Sequence, residues 1–492
     1  MSRVRVVVTI GPKTDNPTAL RAMREAGMDA VRLNGSHADL AWHAQSIALL
    51  REVAPEVPII FDIPGRKVRI GPLEGELAIT AGETVTMASG ERHGSAARSV
   101  PITTPDVHSQ LRMGDLVLAD GGALRFSVTE VSDTRIRCRA ETSGTLRAGK
   151  GIHFPSASHE EQPLTERDRQ MIDFARARGV DFVGISFVNS AKEIQSVREF
   201  IGGSTPRILA KVETRRAMEN LDEVIAVSDA VMIDRGDLSM ETCLERVALF
   251  QKRILSVAKA AGKPVIVATE MLQSMVEHPY PTQAEVSDIT NAVLDGASAI
   301  MLSDETTIGN FPTETVAVMR RVADAVSMHL QTVLDQQQPI SPENVPQAMR
   351  DAIVLLCRRS PVTKIVAITM SGYAARMVAA CMPRQPILAV SHDRATARSL
   401  NLLAGTEGIY VEIPFSRTST DHVARCLKQL WELGKLVDDD LILVTSVGYP
   451  KSGNRMNLIQ MHKLADLRQS LKWGRSRSSS CASERTLSRH GV

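Results

Sequence analysis

The sequence predicts an α/β protein whose main domain is a (β/α)8 TIM barrel, a closed ring of eight parallel strands with helices outside it. Short runs rich in β-branched residues alternate with segments of helical periodicity, as is typical of parallel α/β architectures. Eight such runs occur, the number that closes this barrel, and a long β-rich interval separates the third run from the fourth. The runs lie at residues 4–10, 30–33, 59–63, 182–186, 208–212, 230–233, 265–268 and 299–302.

The other segments predict three further parts. Residues 64–152 contain short alternating pieces separated by Gly and Asp turns, which indicates an all-β domain. Because it interrupts the barrel after a strand, we expect it to cover the catalytic mouth as a lid. The barrel then comprises residues 1–63 and 153–335. Residues 336–470 predict a second α/β domain, and the basic, Ser/Arg-rich residues 471–492 predict a disordered tail.

Several elements can be predicted individually. Thr282 is expected to cap a helix that reaches residue 294. The apolar face of this helix is expected to consist of Ala284, Ile289, Ala292 and Val293. In the second α/β domain we expect helices over 348–359 and from Tyr373, and strands at 364–369, 387–391 and 441–444.

Composition excludes several classes of function. A net charge of +2 over 492 residues gives no reason to expect nucleic acid as a partner. The six cysteines show neither a disulfide framework nor metal-ligand spacing, which favours reduced thiols. No run approaches the roughly 20 apolar residues that span a bilayer, and the first residues lack the apolar core of a secretory signal. We therefore expect a cytoplasmic protein without a membrane partner.

Polar residues gather at the ends of the eight runs, which in a barrel form the face that carries active sites. Lys211 and Glu213 are two apart on one strand and can converge, and Asp237 follows the next strand. Carboxylates a strand apart suit Mg²⁺, and a lysine beside them can offset charge on a transferring phosphoryl group. The alternative is a solvated turn with ordinary surface charges. The other polar residues at these ends are Asn34, Ser36, Asp62, Ser186, Asp234, Thr269, Glu270 and 303–305.

Two glycine-containing turns are further candidates. Arg235-Gly236-Asp237 is expected to form a turn in which glycine lets the backbone approach a ligand. In the second α/β domain, Ser371 and Gly372 lead from a strand into a helix whose N-terminus could bind an anion. The alternative there is a plain strand-to-helix turn with Ser371 as the N-cap.

Six ordered motifs make the chain resemble the pyruvate kinase family up to about residue 468. They are VTIGP (8–12), AGMDAVRLNGSH (26–37), ILAKVE (208–213), RGDL (235–238), ATEMLQSM (268–275) and PTQAEVSDITNAVLDGASAIMLSDET (281–306). The resemblance implies a barrel, a β lid and a C-terminal regulatory domain. It also implies transfer of the phosphoryl group of phosphoenolpyruvate to ADP, with Mg²⁺ or Mn²⁺ as cofactor, and we expect an allosteric homotetramer.

The resemblance assigns roles to residues that match the family's motifs. Lys211 would stabilise the phosphoryl-transfer transition state, and Arg32 would engage the transferring phosphate. Thr269, Gly236 and Asp237 would hold the carboxylate and enolate of the substrate, while Glu213 and Asp237 would bind the divalent metal. Nucleotide contacts would come from Asn34, Ser36, His37, Arg69 and Lys150. Monovalent-cation positions would be Asn34, Ser36 and Asp62, and the effector loop would contain Thr369, Ser371 and Gly372.

The chain departs from the family's pattern at three places. Gly35 replaces a phenylalanine, which we expect to loosen the turn of Asn34 and Ser36. The stretch DIPGRKVR (62–69) has Ile63 and Lys67 where potassium-dependent members have Thr and Glu, so we expect no K⁺ requirement. The lid's return reads KGIHFPS (150–156), with His153 in place of asparagine, and the family's following aspartate appears as Glu160. These departures leave two alternatives, a metabolite-binding pseudo-enzyme and an Mg²⁺-dependent enolate lyase.

Overall fold

The structure is a computed structural model that forms two compact units, Met1–Gln337 with Asn401–Gly405, and Gln338–Leu400 with Thr406–Val492. It describes residues 4–65, 68–89, 99–104, 107–132, 134–157, 164–334, 345–416, 419–447 and 456–474. Three expectations therefore fall on residues outside the described ranges. They concern Lys67, Glu160 and the tail residues 475–492.

The first part of the barrel contains three strands and two helices. These are β1 (Arg5–Thr9), α1 (Pro17–Ala26), β2 (Ala30–Asn34), α2 (Leu40–Val53) and β3 (Ile59–Ile63). Each helix begins with a polar side chain that accepts a backbone N–H, Asn16 for α1 and Asp39 for α2.

An all-β module follows β3. Its strands are β4 (Leu77–Ile79), β5 (Thr84–Ser89), β6 (Ser99–Ile102), β7 (Leu116–Ala119), β8 (Leu124–Val131), β9 (Arg135–Ala140), β10 (Gly144–Leu146) and β11 (Ile152–His153). Six of them form one sheet in the order β11-β7-β8-β9-β5-β6, and β10 pairs with β4. Strand β9 alternates buried and exposed residues, so Ile136 and Cys138 face the core of the module.

The rest of the first unit completes the barrel. It consists of α3 (Glu166–Ala177), β12 (Phe182–Ile185), α4 (Ala191–Ile201), β13 (Arg207–Val212), α5 (Arg215–Glu219), α6 (Leu221–Val227), β14 (Ala230–Asp234), α7 (Arg235–Glu241), α8 (Val247–Ala260), β15 (Val265–Ala268), α9 (Gln283–Leu294), β16 (Ala299–Leu302), α10 (Asp304–Thr307) and α11 (Pro312–Leu334).

Eight parallel strands close the barrel in the order β1-β16-β15-β14-β13-β12-β3-β2. Closure occurs where β1 pairs with both β16 and β2. All eight predicted runs are barrel strands, which confirms the predicted fold class. The strands are buried almost throughout, as the continuous β-branched runs require. Their carboxyl ends meet at one face, so the polar residues that follow them come together there.

The second unit is a five-stranded sheet with helices. Its elements are α12 (Val345–Arg359), β17 (Lys364–Ile368), α13 (Tyr373–Ala379), β18 (Ile387–Ser391), α14 (Arg394–Ser399), β19 (Thr406–Tyr410), α15 (Asp421–Glu432), β20 (Leu441–Ser446), β21 (Leu458–Lys463) and α16 (Leu464–Ser470). The order is β19-β18-β17-β20-β21, with β21 antiparallel to β20. The three predicted strands are confirmed, whereas β19 and β21 were not predicted.

Among the described residues, none of the helices combines the length and the apolar character needed to cross a bilayer.

Helix α9 begins as predicted. The Thr282 side chain accepts from the Glu285 backbone N–H, and the Glu285 side chain accepts in return from the Thr282 N–H, which forms a capping box. Ile289, Ala292 and Val293 are buried. The inclusion of Ala284 in the apolar face was wrong, because Ala284 is exposed on the first turn.

Replacing Thr282 with Ala should lower the free energy of unfolding by about 1 kcal/mol, because the capping hydrogen bond is lost. Urea denaturation measures this change. Ser190→Ala is the matched control, since Ser190 is the N-cap of α4 but makes no side-chain capping bond. We expect the control to change stability by less than about 0.5 kcal/mol. Equal losses in both variants would contradict the role of the capping box.

Candidate active site

The carboxyl ends of the barrel strands and the base of the all-β module enclose a cavity of about 1180 Å³. Ten of the residues predicted for the site line this cavity. They are Arg32, Asn34, Ser36, His37, Arg69, Lys150, Lys211, Gly236, Asp237 and Thr269. The structure thus brings together residues that lie more than two hundred positions apart in the sequence.

Lys211 occupies the centre of a buried charge network at the end of β13. Its Nζ lies 3.1 Å from Glu213 Oε2 and 3.1 Å from Asp234 Oδ2. It also donates to Ser186 Oγ at 3.3 Å and lies 4.0 Å from Asp62 Oδ2. Burial acts to lower the pKa of Lys211, but the surrounding carboxylates outweigh burial and raise it. The surroundings of Lys211 therefore favour its charged form, and its side chain converges with Glu213 as the two-residue spacing predicted.

Glu213 is completely buried directly after β13. Its Oε1 accepts the Phe187 backbone N–H at 2.7 Å, which holds the side chain in one orientation. Burial raises the pKa of Glu213, and the negative charges of Asp234 and Asp237 raise it further, against the opposing effect of Lys211. Crowded carboxylates of this kind are stabilised when a cation joins them.

Three carboxylates form one potential metal site. One oxygen each from Glu213, Asp234 and Asp237 lie within 4.8 Å of one another. Oxygen ligands of this type suit a hard divalent cation such as Mg²⁺, so the donor set fits the cofactor expected from the sequence. Glu213 and Asp237 were expected as ligands from the sequence, whereas Asp234 was predicted only as one of the polar residues at the strand ends. The sequence feature that could have drawn attention to Asp234 is its position at the end of β14, the strand that pairs with β13.

Thr269 supports the start of α7. Its backbone lies in the left-handed region with φ of 70°, which is strained for a β-branched residue. In this conformation Thr269 Oγ1 accepts the Gly236 N–H at 2.9 Å and donates to the Ala268 carbonyl at 2.6 Å. The expectation of a turn at Arg235-Gly236-Asp237 was wrong, because these residues form the first turn of helix α7.

Arg32 and Asp62 form a buried ion pair, with Arg32 Nε 2.8 Å from Asp62 Oδ2. The second oxygen, Asp62 Oδ1, is buried and has no hydrogen-bond partner among the described residues. It occupies the space that a Cβ on Gly184 of the neighbouring strand would fill. A glycine at this position of β12 therefore makes room for the Asp62 carboxylate.

The turn after β2 is closely packed. Asn34 Oδ1 accepts the Ser36 N–H at 3.1 Å, and the Gly35 N–H donates to the Asp62 carbonyl at 3.0 Å. A Cβ on Gly35 would lie 2.5 Å from the Asp62 carbonyl oxygen and would also collide with Met171. The expectation that Gly35 loosens this turn was wrong, because the missing side chain lets the turn pack directly against β3 and α3.

Arg69 and Lys150 lie opposite each other at the base of the all-β module. Arg69 Nη1 donates to the Gly149 carbonyl at 2.8 Å, and Lys150 Nζ pairs with Asp120 at 3.0 Å. Burial lowers the pKa of His37, and the nearby positive charge of Arg69 lowers it further. This side of the cavity is therefore electropositive without depending on a charged His37.

His153 was noted in the sequence only as a departure from a motif, and the structure places it beside the metal site. It ends β11, with Nδ1 3.2 Å from Glu241 Oε1 and Nε2 3.5 Å from Asp237 Oδ1. It thereby connects the all-β module to α7. No sequence signal could have found this contact, because His153 and Glu241 are 88 residues apart.

The loop of Thr369, Ser371 and Gly372, which was expected to bind an effector, lies in the second unit. Thr369 Oγ1 accepts the Gly372 N–H at 3.0 Å, and Arg376 Nη1 donates to the Ser371 carbonyl at 3.0 Å. Gly372, with φ of 84°, is the N-cap of α13. The alternative with Ser371 as N-cap was therefore wrong.

A barrel with a buried lysine, an arginine and several carboxylates beneath an inserted β module has the parts of a phosphotransferase, because such enzymes mainly position and neutralise anionic groups. Comparison with known families specifies which. The family model described as "Pyruvate kinase, barrel domain" matches residues 1–316. The model described as "Pyruvate kinase, alpha/beta domain" matches residues 347–462. The chain belongs to the pyruvate kinase family.

Curated relatives from several lineages match nearly the whole chain. A pyruvate kinase of Agrobacterium vitis is 34% identical over 466 residues, covering 93% of this chain and 97% of the relative. A pyruvate kinase of Clostridium perfringens is 33% identical, covering 94% and 100%. One of Thermotoga maritima is 31% identical, covering 94% and 100%. These relatives support a pyruvate kinase function over the pseudo-enzyme and lyase alternatives.

Replacing Gly35 with Ala should lower the free energy of unfolding by about 1–3 kcal/mol, because the added methyl group meets the Asp62 backbone. Chemical denaturation measures the change. Gly203→Ala is the control, since the nearest atom to a Cβ there is the Thr205 carbonyl oxygen at 4.0 Å. If Gly35→Ala were as stable as this control, the close packing of the turn would be disproved.

Proposed function

We propose that this chain transfers the phosphoryl group of phosphoenolpyruvate to ADP, giving pyruvate and ATP. The observation that carries the proposal is the Lys211 ammonium group, held 3.1 Å from both Glu213 and Asp234 in the cavity wall. A fixed positive charge beside a group of carboxylates that suits a divalent cation can neutralise a transferring phosphoryl group without reorganising.

The surrounding residues contact different parts of the substrate. Arg32 reaches the phosphoryl group together with Lys211, since both line the same wall. Thr269 and the backbone of Gly236 and Asp237 receive the carboxylate and the developing enolate of phosphoenolpyruvate. The ordered Thr269–Gly236 hydrogen bond supports this role, because it holds the start of α7 in place.

The nucleotide is assigned to the side of the cavity formed by the turn after β2 and the base of the all-β module. Its contacts are Asn34, Ser36, His37, Arg69 and Lys150. The positive charges of Arg69 and Lys150 suit the phosphates of ADP. The Lys150–Asp120 ion pair would have to rearrange if the Lys150 ammonium group contacts a phosphate.

Glu213 and Asp237 would hold Mg²⁺ or Mn²⁺. When bound, such an ion supplies positive charge to the phosphoryl oxygens and to the enolate. The protein's own contribution is to keep both carboxylates immobile, Glu213 through the Phe187 N–H and Asp237 through its place on α7.

On the resemblance to the family we also propose a cytoplasmic homotetramer. An anionic effector is assigned to the loop of Thr369, Ser371 and Gly372. Arg376, whose Nη1 donates to the Ser371 carbonyl, adds positive charge there.

Pyruvate formation from phosphoenolpyruvate, coupled to NADH oxidation by a dehydrogenase, tests the reaction. We expect turnover only with ADP and a divalent cation together. Pyruvate release without ADP would indicate a lyase or phosphatase, and binding without turnover would indicate a pseudo-enzyme. Either result would contradict the proposal.

Lys211→Ala should lower kcat about 10²-fold or more, because one preorganised electrostatic group is removed from the reacting centre. The same coupled assay measures it, with melting temperature as a check on folding. Lys252→Ala serves as the control, since Lys252 pairs with Asp295 on the outside of the barrel. A Lys211→Ala variant that retains more than half of the wild-type kcat would remove Lys211 from the mechanism.

Catalysis should not require K⁺. Ile63 offers no side-chain oxygen, and Lys67, which lies outside the described residues, carries an ammonium group that can replace a monovalent cation. The buried Asp62 Oδ1, which has no hydrogen-bond partner among the described residues, is a suitable acceptor for such a charge. Activity in tetramethylammonium and in K⁺ should agree within about twofold. A rise of more than about tenfold in K⁺ would disprove this expectation.

A further inference from the structure

We propose that Asp234 is a third protein ligand of the divalent cation, in addition to Glu213 and Asp237. The inference rests on the proposed metal site and deepens it. The RGDL motif at 235–238, which directly follows Asp234, did not by itself assign Asp234 a role in the metal site. Its position, its burial and the local charge balance carry the argument.

The strand register places Asp234 beside Glu213. Strands β13 and β14 pair with Lys211 opposite Met232 and Val212 opposite Ile233. The next residues on the two strands are Glu213 and Asp234, so their side chains emerge next to each other at the carboxyl end. Asp237 follows one helical turn later on α7. One oxygen from each of the three acids lies within 4.8 Å of the others.

Burial excludes a solvated surface role for Asp234. Asp234 is only 7% exposed, and its Oδ1 lies 3.7 Å from the position that a Cβ on Gly236 would take. The adjacent Glu213 is fully buried, and its Oε2 has no well-oriented hydrogen bond among the described residues although Lys211 Nζ is 3.1 Å away. A buried carboxylate oxygen in this state is poised to accept a cation.

Charge counting also points to an ion. Counted as ionised, the three clustered carboxylates and the Lys211 ammonium group sum to −3 and +1, which leaves two negative charges at this end of the barrel when His153, 3.5 Å from Asp237, is neutral. Arg32 does not remove this excess, because its Nε is paired with Asp62 at 2.8 Å. A divalent cation balances the remaining charge. If Asp234 served only as the counter-ion of Lys211, it would duplicate Glu213, whose Oε2 lies at the same 3.1 Å from the Lys211 Nζ.

Titration of the metal-free protein with Mn²⁺, followed by the electron paramagnetic resonance signal of free Mn²⁺, measures the affinity directly and without turnover. Asp234→Asn should raise the Mn²⁺ Kd by about tenfold or more, the scale for losing a metal-site partner. Asp229→Asn is the matched control, because Asp229 is an acid at the amino end of the same strand, pairs with Arg198 and is not one of the three clustered carboxylates. We expect a change below about threefold for the control.

A second background separates a ligand from a counter-ion. In Lys211→Met protein, a ligand role predicts that Asp234→Asn still weakens Mn²⁺ binding by about tenfold. A change below about threefold in this background, or one equal to that of Asp229→Asn in wild type, overturns the proposal. Glu213→Gln tests the proposed metal site itself. If Glu213→Gln also leaves the Kd unchanged, the whole metal assignment fails, whereas normal weakening by Glu213→Gln alone rejects only Asp234.

Should Asp234→Asn fail to fold, anomalous scattering from Mn²⁺ in crystals of the wild-type protein answers the same question. The proposal requires an Asp234 oxygen within about 2.0–2.6 Å of the ion, the range of direct oxygen ligation. Any longer separation overturns it.

Discussion

A buried ammonium group is stable only when negative charge surrounds it, and in this protein that requirement organises the carboxyl end of the barrel. Lys211 lies between Glu213 and Asp234, with Asp62 slightly farther away. Removing Lys211 would leave the buried carboxylates without the ammonium group that they share, at a cost of about 3–5 kcal/mol. The three acids come from the ends of β3, β13 and β14, so the barrel must close in register for the network to exist.

Hydrogen bonds and ionic contacts link this end of the barrel to neighbouring parts. The Phe187 N–H orients Glu213, and the strained Thr269 holds the first turn of α7 through Gly236. His153 adds a contact from the base of the all-β module to Asp237 and Glu241. A shift of this module would therefore change the contact between His153 and Asp237. The all-β module and the clustered carboxylates are thus connected through one buried imidazole ring.

Sequence patterns predicted the parts of this arrangement that depend on local periodicity. The continuous apolar runs predicted all eight barrel strands. The spacing of two residues predicted that the side chains of Lys211 and Glu213 point the same way at the end of β13. Contacts between distant segments were not predictable in this way. The clustering of Asp234 with Glu213 and Asp237, the His153–Glu241 contact and the packing of Gly35 against Met171 depend on which segments become neighbours. Strands β19 and β21 were missed because half-buried strands lack a continuous apolar run.

Lys211 should remain positively charged because the carboxylates around it outweigh the effect of its burial. Nuclear magnetic resonance of protein labelled at lysine Cε can follow the ionisation of its ammonium group, with the Lys211 signal assigned by its absence in Lys211→Arg. We expect a pKa above the ordinary lysine value, so the signal should stay at its protonated position throughout the pH range in which the protein is folded. A Lys211 signal that titrates below the ordinary value of about 10.4 would show that the carboxylates do not outweigh burial.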